Sequence, residues 1–283
     1  MKSALDAFAN LEVVGTGAGS TIYRGTSLDD GKVYAVKVIR RTQAGDKRFI
    51  KQAANEFRVA SVLDHKNIVK MYASGRVRRF LRTVEYSIVM EYFPGRMLSE
   101  HNKFTIPEII SIFLQVADAL AYMHRMGYVH TDVKPENILV DNKAAAKIID
   151  FGVACKRNET KDRVQGTPEF MAPEQVSKKP LDERTDIYNL GATMYKVLTG
   201  KTAPVNVGIA NPMGNGEGLS LAKLGVRFHN AAVPEKFAHV IEKCCRRSRS
   251  KRYQRMSEVV EALSAALRDV APAGSPSVKG LSA

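Results

Sequence analysis

The stretch HTDVKPEN, residues 130–137, sets an Asp, a Lys and an Asn around a proline within a few positions. Pro135 lacks a backbone donor and restricts the residue before it, so a regular helix is excluded and the segment reads as a loop. A loop of this kind converges several side chains on one point. Asp132 is an acceptor able to orient and deprotonate a hydroxyl, and Lys134 is a cation able to neutralise a transferred phosphoryl group. Asn137, and Asp150 within IDFG (149–152), offer a neutral and an anionic oxygen of the hard kind that magnesium prefers. The apolar runs ILV (138–140) and KII (147–149) flank a turn at DNKAAA, so a hairpin is expected to bring Asn137 and Asp150 together. Each residue taken singly fits a polar loop with capping roles. Their joint order along the chain does not.

Upstream, the first ninety or so residues alternate in the manner of strands: LEVVG, TIYRG, KVYAVKVIR and YSIVMEYF, with a hairpin signal at SLDDGK (27–32). In VGTGAGSTIYRG (14–25) three glycines separate two strand-like segments, so backbone N–H groups can approach an anion closely. Such a turn is as readily a plain hairpin, and because a strand follows it, it is no dinucleotide-binding fingerprint. A period of two puts Val33, Ala35, Lys37 and Ile39 on one strand face. A lysine in that setting needs an edge or a buried partner. Glu56, among Ala53, Phe57 and Ala60, is the expected partner; it sits in a helical pattern over 47–63 that presents Ile50, Ala54, Phe57 and Val62.

After Pro94 the texture becomes helical. Thr105 and Glu108 form a capping box, followed on one face by Ile109, Ile112, Phe113, Val116, Leu120 and Met123 until Gly127. A second long helix is expected over Asp186–Leu198, closed by Gly200, and a third from Ser257, its N-cap, to Leu267. The tail APAGSPSVKGLSA is small and polar and is expected to be disordered. The chain thus reads as a strand-rich part (1–93), a larger helical part (94–270) and a short tail (271–283).

With 283 residues, 45% of them hydrophobic and 25% charged, the chain has enough apolar material for one large core or two smaller ones. No run of eighteen apolar residues encodes a membrane span, and MKSALDAFANLEV lacks the apolar block of a secretory signal. Cys155, Cys244 and Cys245 are too few for a disulfide framework, two of them being adjacent, and they indicate a reduced, cytoplasmic protein. The formal net charge of +14 says that the surface is basic.

The motifs GTGAGSTI (15–22), AVK ending at Lys37, Glu56, HTDVKPEN, DFG (150–152), APE (172–174) and DIYNLG (186–191) follow one another in a single order. In that order the chain resembles the eukaryotic-type protein kinases, most closely the compact Ser/Thr kinases of bacteria, over about residues 11–268. The resemblance implies an α+β, bilobal fold: a small antiparallel sheet with one main helix, then a larger, mainly helical lobe. It implies ATP under a loop of Val14, Gly15, Thr16, Gly17, Ala18, Gly19 and Ser20, with Lys37 on the α- and β-phosphates and Glu56 positioning it. Ile22, Ala35 and Leu139 would sandwich the adenine. The backbone of Glu91, Tyr92 and Phe93 would meet the adenine edge, with Met90 behind as gatekeeper. Asn137 and Asp150 would bind Mg2+, with Mn2+ as an alternative ion. Asp132 would accept the proton of a substrate hydroxyl, and Thr167 would contact the Asp132–Lys134 pair. Lys134 and GTPEFMAPE (166–174) point to Ser/Thr protein substrates, the chain itself included through a transient homodimer. Glu174 would pair with Arg252, and Asp186 would brace the catalytic loop.

Four positions depart from the commonest family pattern. Ser20 replaces the third loop glycine. Met97 stands near the usual ribose-binding acid. Ala60 is smaller than the residue usual behind Glu56, so the helix is expected to be held less firmly, with inactive states populated. Thr131 stands where most relatives carry an Arg that meets a phosphate on the activation segment. Activity is therefore expected not to depend strongly on phosphorylation of that segment, where Thr160 is the best acceptor. The basic runs RVRRFLR (76–82) and CCRRSRSKRYQR (244–255) have only Phe80 and Tyr253 as interleaved aromatics, so they read as solvated faces rather than a nucleic-acid site. An acidic docking partner would also suit them. The alternative to an active kinase is a nucleotide-binding scaffold without catalysis; against it, Lys37, Glu56, Asp132, Asn137 and Asp150 are all present. No sensor domain is visible in the chain.

Overall fold

The computed structural model describes residues 3–17, 19–41, 47–79, 82–101, 104–204 and 225–270. By their contacts these fall into two compact units, one made of Met1–Pro94 with Ile149–Ala154, the other of Gly95–Ile148 with Cys155–Ala283. The tail 271–283 lies outside the described residues, as do Ala18 of the glycine-rich loop and Phe80 of the first basic run.

In the first unit five antiparallel strands run β1 (Phe8–Gly17), β2 (Ser20–Ser27), β3 (Val33–Arg40), β4 (Met71–Arg79) and β5 (Arg82–Glu91), in the order β1-β2-β3-β5-β4. The β2–β3 turn closes as its residue types dictate. Ser27 Oγ accepts the N–H groups of Asp29 and Asp30, and Gly31 takes the left-handed φ of +70° that a side chain would resist. Strand β3 buries both faces: Ala35 and Ile39 on the face expected from the alternation, Val36 and Val38 on the other. On the expected face Val33, at the start of the strand, is exposed.

Helix α1 (Lys47–Ala60) packs on β3, β4 and β5. Its buried residues are Ala53, Glu56, Val59 and Ala60, not the expected Ile50, Ala54, Phe57 and Val62, and Val62 lies beyond the helix and is exposed. The buried face is thus turned from the one the apolar spacing marks, and it carries Glu56, whose carboxylate meets the Lys37 ammonium of β3.

The second unit is built on α2 (Ile106–Arg125). Thr105 caps it, with its N–H and hydroxyl both donated to Glu108 Oε2 at 2.8 Å. All six residues expected on its apolar face are buried, each contributing about 1.5–3 kcal/mol of transfer free energy. By length and composition α2 would serve as a membrane span; its apolar side chains are core instead. Short strands β6 (Arg96–Met97), β8 (Ile138–Val140) and β9 (Ala146–Ile148) form one small sheet, and β7 (Tyr128–Val129) pairs with β10 (Cys155–Lys156). Beyond them come α3 (Pro173–Val176), α4 (Glu183–Thr199), α5 (Val226–His229), α6 (Glu235–Cys244) and α7 (Met256–Val270).

Helix α4 begins three residues earlier than its apolar pattern suggests, because Asp182 accepts the Arg184 N–H as N-cap, and it ends at Gly200 with φ +69°. Helix α7 contains Ser257 rather than being capped by it; the Gln254 N–H is taken by Glu258. Gly191 lets α4 approach α6: a Cβ there would lie 2.5 Å from Cys244 Cβ and 2.9 Å from Cys245 Sγ. This contact accounts for the adjacent cysteines as packing residues. Burial pushes the Cys245 thiol up to about 12, so it is no nucleophile.

Candidate active site

In the first unit the strand register aligns Gly15 with Ile22, Ile22 with Lys37, and Ala35 with Met90. Gly17 faces Ser20 across the turn that carries Gly19, whose φ is +80° and where a Cβ would fall 2.6 Å from the Phe49 ring. Val14, Thr16, Gly17 and Gly19 are exposed, while Ala35 and Met90 are buried. Glu91 and Phe93 are half-buried where the first run of this unit ends.

Lys37 Nζ donates to Glu56 Oε2 at 2.7 Å, resolving the lone lysine of β3 and the lone acid of α1 together. Burial disfavours the Lys37 charge, yet the Glu56 and Asp150 carboxylates outweigh it and raise the ammonium above its ordinary value. On Glu56, burial, reinforced by the Asp150 carboxylate, outweighs Lys37 and pushes the carboxyl up to about 7. Asp150 takes a left-handed φ of +64°, with Oδ1 accepting the Gly152 N–H. The turn after it is held by Asn55 on α1, whose amide donates to the carbonyls of Phe151, Gly152 and Ala154 at 2.9–3.3 Å.

The second unit gathers the other candidates. Asp132 Oδ1 accepts the Thr167 N–H at 2.8 Å, and Oδ2 lies 3.1 Å from Lys134 Nζ. Lys134 also donates to Thr167 Oγ1 at 2.8 Å. Asn137 donates to the Asp132 carbonyl at 2.8 Å and to Oδ2 at 3.3 Å, from the 3-10 turn Pro135–Asn137. Leu139 stands on β8, paired with Met97 on β6. Lys37, Glu56 and Asp150 therefore form one group in the first unit, and Asp132, Lys134, Asn137 and Thr167 another in the second.

Behind Asp132, Asp186 is fully buried and accepts the His130 N–H at 2.8 Å and the Thr131 N–H at 2.7 Å, with His124 Nε2 at 2.8 Å. Burial alone would raise its carboxyl; these bonds and the nearby histidines outweigh it and hold the group below its ordinary value. Arg252 and Glu174 meet in a bidentate pair at 2.7 and 2.9 Å, both buried.

Several residues of this framework carry no sequence signal of their own. Gln175 takes the Ala172 N–H on Oε1 and gives Nε2 to the Thr131 carbonyl, while Asn189 bonds Gln175 and the Phe170 carbonyl. Asn55 and Lys161 belong with them. A polar residue inside an otherwise buried helical run, as Asn189 is in α4, is the one clue such positions offer. A largely apolar cavity of about 510 Å3 beside α6, lined by Tyr195, Ile241 and Cys245 among others, borders none of the candidate residues.

The chain matches the family model described as protein kinase domain over residues 8–263. It is 30% identical over 266 residues to a probable serine/threonine-protein kinase of Clostridium acetobutylicum, covering 89% of this chain and 39% of that protein. To the probable serine/threonine-protein kinase PknB of Corynebacterium glutamicum it is 36% identical over 199 residues, 67% of this chain and 31% of the other. To the serine/threonine-protein kinase PrkC of Bacillus subtilis it is 30% identical over 257 residues, 86% and 38% respectively. The chain thus spans about a third to two fifths of the length of these curated relatives.

Proposed function

The chain belongs to the protein kinase family, and on that premise we propose that it transfers the γ-phosphoryl group of ATP to Ser and Thr hydroxyls of proteins, itself among them. The observation that carries this reading is the grip on Asp132. A backbone N–H, an ammonium and an amide hold its carboxylate in one orientation, as a group that takes a proton from a defined direction must be held. The substrate oxygen attacks the γ-phosphorus as the bond to the bridging oxygen of ADP breaks, and the hydroxyl proton passes to Asp132. Lys134, beside Asp132 and Thr167, offsets the charge on the transferred group, and Lys37, held by Glu56, orients the α- and β-phosphates.

For the divalent ion that such a transfer would use, the residues named for it have suitable donor chemistry, each considered within its own unit. Asn137 spends its amide nitrogen on Asp132, which leaves its carbonyl oxygen as the end offered to a cation, and Asp150 supplies a carboxylate. These are the hard oxygen donors suited to Mg2+ or Mn2+, and the ion would supply charge neutralisation at the phosphates. The net charge of +14 supports an acidic docking partner.

The test is transfer from γ-labelled ATP to the protein itself and to a generic basic protein. Asp132→Asn is expected to lower kcat by at least about 100-fold, the lower end of general-base contributions, with label recovered on Ser and Thr in the wild type. Equal activity in the variant, or label on Tyr alone, overturns the reading. Thr131 supports activity without a phosphate on the activation segment, since no guanidinium stands there to receive one. Thr160, exposed on that segment, is therefore expected to tolerate Thr160→Ala with most activity retained, and loss of most activity would count against this.

A further inference from the structure

Thr131 is a β-branched residue with φ +65°, a left-handed conformation that such residues rarely adopt, and it is almost wholly buried. A strained conformation persists where the surroundings over-determine it. Three segments do so here. Asp186 on α4 accepts the Thr131 N–H at 2.7 Å, and Gln175 on α3 donates to its carbonyl at 2.8 Å. Lys161 Nζ donates to its hydroxyl at 2.7 Å. Lys161 lies on the activation segment, six residues before Thr167, whose N–H binds the carboxylate of the very next loop residue, Asp132. The stretch 161–167 is thus pinned to the catalytic loop at both ends.

Between the pins the segment runs close to the loop. Gly166 has φ +119°, and a Cβ there would lie 3.2 Å from the Thr131 carbonyl and 3.2 Å from Gln175 Nε2. The Lys161 ammonium is part-buried. Its own burial disfavours the charge more than Asp186, Glu159 and Asp132 favour it, so it titrates below its ordinary value. A cation kept in such surroundings answers to a structural demand.

We propose that Lys161 is a positioning residue: its ammonium, given by the activation segment to the Thr131 hydroxyl, fixes the strained peptide before Asp132 and aims that carboxylate without any phosphate. A side-chain cation internal to the segment does the ordering that a phosphate on the segment would otherwise do through an arginine on the loop. This deepens the kinase reading and rests on it for its kinetic consequences.

Four variants test it: Lys161→Met, Lys161→Arg, Thr131→Val and the Lys161→Met/Thr131→Val double. Losing one charge-assisted bond at a strained site is expected to lower kcat about tenfold in Lys161→Met, with the KM for ATP changed less than about twofold. Lys161→Arg, which keeps the charge, should stay within about threefold of wild type. Thr131→Val, which keeps the branch and loses the hydroxyl, should match Lys161→Met, and the double should fall no further than either single, because one bond is being removed twice. Wild-type kcat in Lys161→Met, or losses that multiply in the double, overturns the proposal. Amide hydrogen exchange adds a readout that needs no activity: in Lys161→Met the amides of 130–134 and 165–167 should exchange about tenfold faster while those of α2 are unchanged. Unchanged exchange at those amides also overturns it. If the wild type transfers no phosphoryl group at all, the kinase reading falls, and the exchange result alone decides the Lys161–Thr131 clamp.

Discussion

Replacing Arg252 by Met removes a guanidinium whose side chain is 0% exposed and whose every N–H is in use. Nε donates to the Arg246 carbonyl at 2.7 Å. Nη1 donates to Glu174 Oε1 and to the Arg184 carbonyl, each at 2.7 Å, and Nη2 to Glu174 Oε2 at 2.9 Å and the Arg247 carbonyl at 3.1 Å. The Tyr188 ring lies 4.8 Å from its centre. Met fills much of the volume, so the loss is electrostatic. Glu174, 3% exposed, would keep the Thr185 hydroxyl at 3.1 Å but lose its counter-charge.

Stripping one partner from a buried pair costs about 3–5 kcal/mol, because the remaining charge must stay uncompensated or take up a proton. The three carbonyls add to this, although not additively. At roughly 2–4 °C per kcal/mol for a body of this size, about 4 kcal/mol lowers the melting temperature by about 8–16 °C. Thermal melts and urea unfolding of wild type, Arg252→Met and Glu174→Gln/Arg252→Met measure it. The double is expected to regain more than half of the loss, since a neutral amide beside Thr185 leaves no stranded charge. A single variant within about 1 kcal/mol of wild type, or a double as damaged as the single, would refute the argument, for then neither burial nor pairing at this site has the weight assigned to it.

Two further outcomes follow from the packing and the titration of named groups. Glu56 titrates at about 7 when folded and near 4.3 when unfolded, so the folded chain holds the extra proton between those values. Its contribution to stability is therefore full below about 4.3 and lost as pH rises through about 7; urea unfolding at pH 5 and 7.5 should show that fall in wild type and a flatter dependence in Glu56→Gln, and equal slopes would sink the assignment. Gly191→Ala should destabilise by about 1–2 kcal/mol, because overpacking against Cys244 exceeds the roughly 1 kcal/mol that Ala gains over Gly within a helix, and a higher unfolding midpoint would deny the close approach of α4 to α6.

The parts of this molecule that could be read from sequence are those whose signal is local or repeats with a period. The six apolar positions of α2 announce themselves by spacing, and its start by Thr105 and Glu108. Asp132, Lys134 and Asn137 lie within one short loop, and Lys37 and Glu56 each stand out against an apolar background. What escaped depends on partners remote in the chain. Nothing near Lys161 indicates that it meets a residue 30 positions away, nor does Asn55 foretell carbonyls up to 99 positions on. On α1 the inward Glu56 follows from the lone lysine of β3, whereas the apolar spacing of Ile50, Ala54, Phe57 and Val62 does not mark the buried face, which Ala53, Val59 and Ala60 share with Glu56. Ser257 looked like a cap by residue type, but Glu258 had already engaged the Gln254 N–H. Side chains that serve backbone carbonyls carry no periodicity, and the left-handed Thr131 has no residue-type signal at all.

The first unit is not one continuous run of chain: Ile149–Ala154 comes back to it after the polypeptide has left at Pro94. During synthesis the five strands and α1 therefore emerge well before the turn that satisfies Asn55 and supplies the second carboxylate facing Lys37. Until that return, the nascent sheet holds its lysine with Glu56 alone. A product truncated at residue 94 would retain every strand and still be unfinished, its completion depending on six residues that ribosomal order delivers late.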